Sequence, residues 1–113
     1  MRVLIVDDEA PARERLRRLL THHADVLVVG EAQDAGEALR RVDELAPDLL
    51  LLDVQMPGAS GLDLAASLPD PAPAVIFVTA FDRYALQAFD VAALDYLLKP
   101  VEPERLERAC KAL

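Results

Sequence analysis

Residues Leu49-Leu50-Leu51-Leu52-Asp53-Val54-Gln55-Met56-Pro57-Gly58 decide the fold. Four consecutive leucines leave no polar face. Such a run reads as a strand covered on both sides, as strands of a parallel sheet are. The run stops at a carboxylate, and Pro57-Gly58 turns the chain away. Asp53 therefore ends a buried strand.

Outward from this segment, four more short apolar runs occupy residues 3–6, 26–29, 74–78 and 94–98. Helical patterns separate them. Pro11 suits the opening turn of a first helix, with Ala12, Leu16, Leu19 and Leu20 at helical spacing and Arg13, Arg17 and Arg18 elsewhere on the wheel as a solvated face. Asp34 and Glu37 have capping-box spacing ahead of Ala38, Leu39, Val42 and Leu45. Ser60 reads as an N-cap with Asp63 in the first turn, and Asp82 as the cap of a helix through Ala85, Ala88 and Phe89. Pro103 fits the first position of a last helix, whose stripe is Leu106, Ala109, Cys110 and Leu113. Strict βα alternation predicts an α/β, doubly wound, flavodoxin-like (βα)5 fold, with a five-stranded parallel sheet in the order 2-1-3-4-5. Function in such sheets sits at the carboxyl ends of the strands.

The 113 residues fit one domain, 53% hydrophobic and 28% charged, which is a globular composition. A net charge of −8 argues against nucleic acid as a partner of this domain alone. The apolar run at residues 3–6 is too short for a signal peptide or membrane span. The single cysteine, Cys110, permits no internal disulfide, suits a reducing cytoplasm, and reads as an inert core thiol. Pro69, Pro71 and Pro73 mark a stiff loop. His22 and His23 close a helix, with no acidic partner at ligand spacing. The chain stops on an apolar stripe without a closing glycine or proline, so a longer natural chain is expected.

Four of the five strands, the first, third, fourth and fifth, deliver Asp7 and Asp8, Asp53, Thr79 and Lys99 to one edge. Each has a bland reading alone: Asp8 as a helix cap, Thr79 as a turn residue, Lys99 as a solvated cation. Together they read as chemistry. Three gathered carboxylates require a positive partner or must stay partly protonated, and an all-oxygen set suits Mg²⁺. Lys99 suits a phosphate, Thr79 offers a hydroxyl donor, and Asp53 between cation and ammonium reads as a nucleophile of the aspartyl-phosphate type.

Val3-Leu4-Ile5-Val6-Asp7-Asp8-Glu9, Asp53-Val54-Gln55-Met56-Pro57-Gly58 with Gly61, Val78-Thr79-Ala80, and Asp95-Tyr96-Leu97-Leu98-Lys99-Pro100 together resemble the receiver domains of two-component response regulators. The resemblance spans essentially the whole chain, residues 1–113. It implies phosphorylation of Asp53 by a sensor histidine kinase, with Asp8 and Asp53 as direct Mg²⁺ ligands, Asp7 acting through a water, and the backbone carbonyl of Gln55 completing the shell. It implies that Lys99 and Thr79 contact the phosphoryl group, that Thr79 and Tyr96 switch, that Ala80 and Phe81 modulate, and that Lys99–Pro100 is cis. The domain would catalyse only its own phosphorylation and dephosphorylation. The stretch from Thr79 to Tyr96 resembles LytR/AlgR-type transcription regulators, which implies a C-terminal DNA-binding output domain outside this chain. Tyr84, Leu86, Phe89 and Val91 make helix 4 unusually apolar, either as a wider core stripe or as a surface for a homodimer formed on activation.

Three other readings compete. A phosphatase or other acyl-phosphate hydrolase would carry a second carboxylate just after the nucleophile, where Val54, Gln55 and Met56 stand. A flavin module would need a glycine- and hydroxyl-rich loop where Asp7-Asp8-Glu9 stand. A pseudo-receiver that only binds partners is opposed by the intact Asp53, Thr79 and Lys99.

Overall fold

A computed structural model describes residues 1–113. The strands are β1 (Arg2–Val6), β2 (Leu27–Ala32), β3 (Leu49–Leu52), β4 (Ala74–Thr79) and β5 (Asp95–Leu98). The helices are α1 (Ala10–Leu20), α2 (Ala35–Leu45), α3 (Gly61–Ala66), α4 (Ala85–Asp90) and α5 (Pro103–Lys111). All neighbouring strands are parallel, in the order β2-β1-β3-β4-β5, as the alternation predicts. Val6 pairs with Leu52, Leu52 with Phe77, and Thr79 with Leu98, so the carboxyl ends of β1, β3, β4 and β5 share one edge.

Strand side chains alternate between faces, and this splits the core in two. Leu49 and Leu51 join Val3, Ile5, Ile76, Val78 and Leu97 against Leu16, Leu20, Leu106 and Ala109. Leu50 and Leu52 join Leu4, Val6, Val75 and Phe77 against Ala38, Leu64 and Ala88. All four leucines of β3 are fully inaccessible, which is why the run needs no polar residue. Each such side chain contributes about 1.5–3 kcal/mol by leaving water. The strand that presents Asp53 is thereby fixed from both sides.

Capping follows the sequence at two helices. Asp34 Oδ1 accepts from Glu37 N at 2.8 Å, while Glu37 Oε1 accepts from Gln33 N at 3.0 Å. Ser60 Oγ accepts from Asp63 N at 3.1 Å. Two expectations are corrected. Asp8 does not cap α1: Glu9 holds that position without a side-chain bond, and the carboxylate of Asp7 accepts from Glu9 N at 2.9 Å. Asp82 does not cap α4 either. That helix has only six residues and starts after Tyr84, while Asp82 contributes its main-chain carbonyl to a turn with Ala85 N.

Lys99–Pro100 is cis, as the resemblance implies, and so is Asp70–Pro71 in the proline-rich loop, which was not anticipated. Cys110 is half-buried, and burial, with the charge of Asp25, pushes its thiol up to about 11, in line with an inert core group. His22 and His23 share a groove with Glu104 and Glu107, carboxylates remote in sequence. Those side chains do not converge to metal-ligand distances, whereas Asp7, Asp8 and Asp53 do.

Candidate functional site

Asp7 and Asp8 follow β1, Asp53 follows β3, Thr79 ends β4 and Lys99 follows β5. The register above brings all five together. One carboxylate oxygen each from Asp7, Asp8 and Asp53 lies within 4.8 Å of the others. Asp7 and Asp53 are buried, at 1% and 7% exposure, and Asp8 is exposed. Lys99 Nζ donates to Asp7 Oδ2 at 2.7 Å and to Asp53 Oδ2 at 3.1 Å.

One ammonium faces three carboxylates, which leaves two formal negative charges uncompensated. Burial, joined by repulsion from Asp7, raises the pKa of Asp53 even though Lys99 pulls it down. Burial also works against the charge of Lys99, but its bonds to Asp7 and Asp53 outweigh that and hold its pKa above the ordinary lysine value. The unmet demand is for a further positive charge with oxygen ligands, which fits a hard dication. The main-chain carbonyl of Gln55 accepts no hydrogen bond from the chain, while Gln55 N donates to Asp53 Oδ1 at 3.3 Å. Thr79 Oγ1 is fully buried without a partner, although buried hydroxyls normally have one. An anion with several oxygens at this edge could accept from both the Lys99 ammonium and the unpartnered Thr79 hydroxyl.

The loop after β4 holds contacts that spacing rules could not reveal. Arg83 lies over the rings of Phe81 and Tyr84, at 4.6 and 4.8 Å from their centroids. Tyr84 Oη accepts from Gln55 Nε2 and from an Arg83 guanidinium nitrogen, each at 2.8 Å, and these two bonds lower its pKa. Tyr84 thus lines the same groove as Asp8 and Gln55, which neither periodicity nor motif indicated. Ala80 is exposed and Phe81 half-buried. Tyr96, expected as a switch residue, is packed in this structure. It is half-buried, 6.2 Å from Phe77, and its hydroxyl donates to the carbonyl of Phe81.

The arginine run of α1 is also not simply solvated. Arg13 Nε donates to Glu31 Oε1 and Arg17 Nε to Glu31 Oε2, both at 2.9 Å, and Arg13 Nη1 donates to the carbonyl of Asp7 at 2.7 Å. On α4, Leu86 and Phe89 are each 82% exposed, so they do not widen the core stripe.

Comparison with known proteins agrees with this arrangement. The family model of the response regulator receiver domain matches residues 3–111. The transcriptional regulatory protein BtsR of Salmonella typhi is 51% identical over 114 residues, covering 100% of this chain and 48% of that protein. BtsR of Escherichia coli K12 is 48% identical, with the same coverage. The chain thus spans about half the length of these relatives. Among solved structures, the response regulatory domain of mrkE from Klebsiella pneumoniae has a TM-score of 0.92 at 31% identity, over 100% of this chain and 94% of that one. The isolated REC domain of RcsB from Salmonella enterica serovar Typhimurium, solved with the phosphomimetic BeF3-, has a TM-score of 0.90 at 25% identity, over 98% and 86%. With sequence family, fold and strand-end constellation in agreement along nearly its whole length, the chain belongs to the response regulator receiver domains of two-component systems.

Proposed function

We propose that this domain accepts a phosphoryl group on Asp53 from a sensor histidine kinase, using Mg²⁺, and relays its phosphorylation state to a transcription-regulating output. The observation that carries this reading is the meeting of three clustered carboxylates, the Lys99 ammonium 3.1 Å from Asp53, and the unpartnered buried hydroxyl of Thr79. The carboxylate of Asp53 attacks phosphorus, forming an O–P bond. The P–N bond of the donor phosphohistidine breaks and its electron pair returns to the imidazole. Lys99 offsets charge on the equatorial oxygens and Thr79 donates its hydroxyl to one of them. Asp8, Asp53 and the Gln55 carbonyl would hold the Mg²⁺, with Asp7 assisting, and the ion would offset charge on the transferring group. Incubation with acetyl phosphate and Mg²⁺ should add the mass of one phosphoryl group to the intact protein, and EDTA should prevent it. A protein that takes up no phosphoryl group with Mg²⁺ present would be the pseudo-receiver instead.

Reversal needs water to attack the phosphorus of the acyl phosphate. Phe81 stands two residues beyond Thr79, and its ring carries no polar atom to orient that water. The guanidinium of Arg83 holds that ring in place. Phe81→Glu should shorten the phosphoryl lifetime on the order of tenfold, below the ~10²–10⁴ of an optimally placed general base. An unchanged or longer lifetime in Phe81→Glu removes this role.

For output, we propose that Thr79 moves to bond the phosphoryl oxygens and that Tyr96 exchanges its bond to the Phe81 carbonyl for a deeper position behind β4. The exposed Leu86, Phe89 and Leu98 border this region and support a homodimer on activation. Light scattering with beryllofluoride and Mg²⁺ should show a shift toward dimer, weakened in Tyr96→Ala and Phe89→Asp. A monomer in both states at all accessible concentrations contradicts it. The BtsR relatives, named transcriptional regulators and twice the matched length, support a LytR/AlgR-type chain with a DNA-binding domain after this one. A cytoplasmic location is part of the same proposal, and no helix here is long and apolar enough to cross a membrane. A hydrolase reading gains nothing from the geometry, since Val54 and Met56 beside Asp53 are buried and apolar.

A further inference from the structure

We infer that Arg13, on α1, is a positioning residue for the acidic site: it fixes the Asp7–Asp8 peptide, and through it the direction in which Asp8 presents its carboxylate. The inference rests on the Mg²⁺ site proposed above. Asp7 lies past the last residue of β1 and three residues before α1, where the main chain changes from strand to helix. Its N–H is satisfied by the Ala32 carbonyl at 3.0 Å, but no main-chain donor reaches its own carbonyl. The donor is Arg13 Nη1, at 2.7 Å. The residue is almost wholly buried, so this carbonyl has no alternative partner in bulk water.

The peptide unit is planar, so holding the Asp7 oxygen also sets the Asp8 N–H and the path of the chain at Asp8. Asp7 itself is anchored at both carboxylate oxygens, Oδ1 by Glu9 N and Oδ2 by Lys99. Asp8 has no such anchor, because its carboxylate makes no hydrogen bond or ion pair within the chain. Its orientation therefore depends on the backbone beneath it, which is held on one side by the Asp7 carboxylate at Glu9 N and, at the Asp7–Asp8 peptide itself, by Arg13.

Arg13 is itself held. Its Nε donates to Glu31 Oε1 at 2.9 Å on β2, while Glu31 Oε2 takes Arg17 at 2.8 Å. The fork of a guanidinium serves the carboxylate and the carbonyl at once. A lysine has a single ammonium on a flexible stem and cannot span both in this geometry. Arg17 shares Glu31 but does not touch Asp7, which makes it the natural control.

The test compares Arg13→Met, Arg13→Lys and Arg17→Met with the parent chain, by calorimetric Mg²⁺ titration and by the Mg²⁺ dependence of phosphoryl uptake from acetyl phosphate. Both Arg13 variants should bind Mg²⁺ about tenfold more weakly, as loss of an outer-shell support does, with Arg17→Met within about twofold of the parent. Thermal melting identifies a variant that has lost its fold, and Arg13→Lys, which keeps the charge and most of the stem, carries the comparison if Arg13→Met does not fold. Equal Mg²⁺ affinity in the parent, Arg13→Lys and Arg17→Met would overturn the inference, leaving Arg13 as part of a stabilising ion-pair cluster. Failure of the parent to take up phosphate despite binding Mg²⁺ would strike the proposed function and leave the positioning role readable from the titration.

Discussion

Replacing Asp8 by alanine is expected to weaken Mg²⁺ binding by at least about 100-fold, the upper end of what loss of even an outer-shell partner does, and to remove most phosphoryl uptake at millimolar Mg²⁺. The three carboxylates are not equivalent. Asp7 is committed to Lys99 and to Glu9 N, and Asp53 has Lys99 at 3.1 Å. Asp8 alone is exposed and has no partner in the chain, so its oxygens are free for a cation. The variant should fold normally, because the lost side chain supports nothing else. Calorimetric titration reads the affinity directly, and parent-like binding would place the metal elsewhere.

Gly61→Ala should be the most damaging single-methyl change in the chain. Gly61 opens α3, and its N–H donates to the Val54 carbonyl at 2.8 Å, which draws the helix against the segment that carries Asp53. A Cβ there would overlap the Asp53 carbonyl oxygen, lie 2.9 Å from the Asp53 carbonyl carbon and 3.1 Å from Val54 Cα. These are backbone atoms of a buried segment and cannot turn aside as a side-chain tip can. Alanine brings at most about 1 kcal/mol of helix propensity, and overpacking a rigid site opposes it by about 3 kcal/mol or more. The net loss corresponds to a melting point lower by about 10 °C or more, with Asp53 displaced and phosphoryl uptake reduced. Gly58 provides the contrast. Its φ of +80° penalises a side chain, but nothing lies within 4 Å of its Cβ position, so Gly58→Ala should be destabilising by only about 1 kcal/mol. Equal melting of the two variants would contradict this assignment of cause.

The sheet was legible because its signal is local. Four leucines in a row allow few alternatives, and Asp53 follows them directly, so the proposed phosphoacceptor and its strand were read together. Asp7, Asp8, Thr79 and Lys99 were legible for the same reason: each sits at the end of an apolar run, and parallel strand ends must converge. The contacts that spacing missed join residues far apart in the chain. Gln55 and Tyr84 are 29 positions apart, and Arg13 and Glu31 are 18 apart. Helical periodicity tells which residues share a face, but not that β2 offers Glu31 to that face. The caps at Asp8 and Asp82 failed for a related reason. Any carboxylate before a helix resembles a cap, but Asp8 is oriented into the acidic cluster, and α4 starts too late for Asp82 to reach it. Tyr96 was correctly placed on β5, but its bond to the Phe81 carbonyl depends on a loop whose course no period describes.

Everything proposed above turns on Asp53 being the residue phosphorylated. Acetyl phosphate and Mg²⁺, followed by borohydride trapping of the acyl phosphate and peptide mapping, test it most directly. A single trapped site at Asp53 is expected, absent when EDTA replaces Mg²⁺ and absent in Asp53→Asn. Trapping at Asp7, Asp8 or any other carboxylate in the parent chain, or full modification of Asp53→Asn, would contradict it.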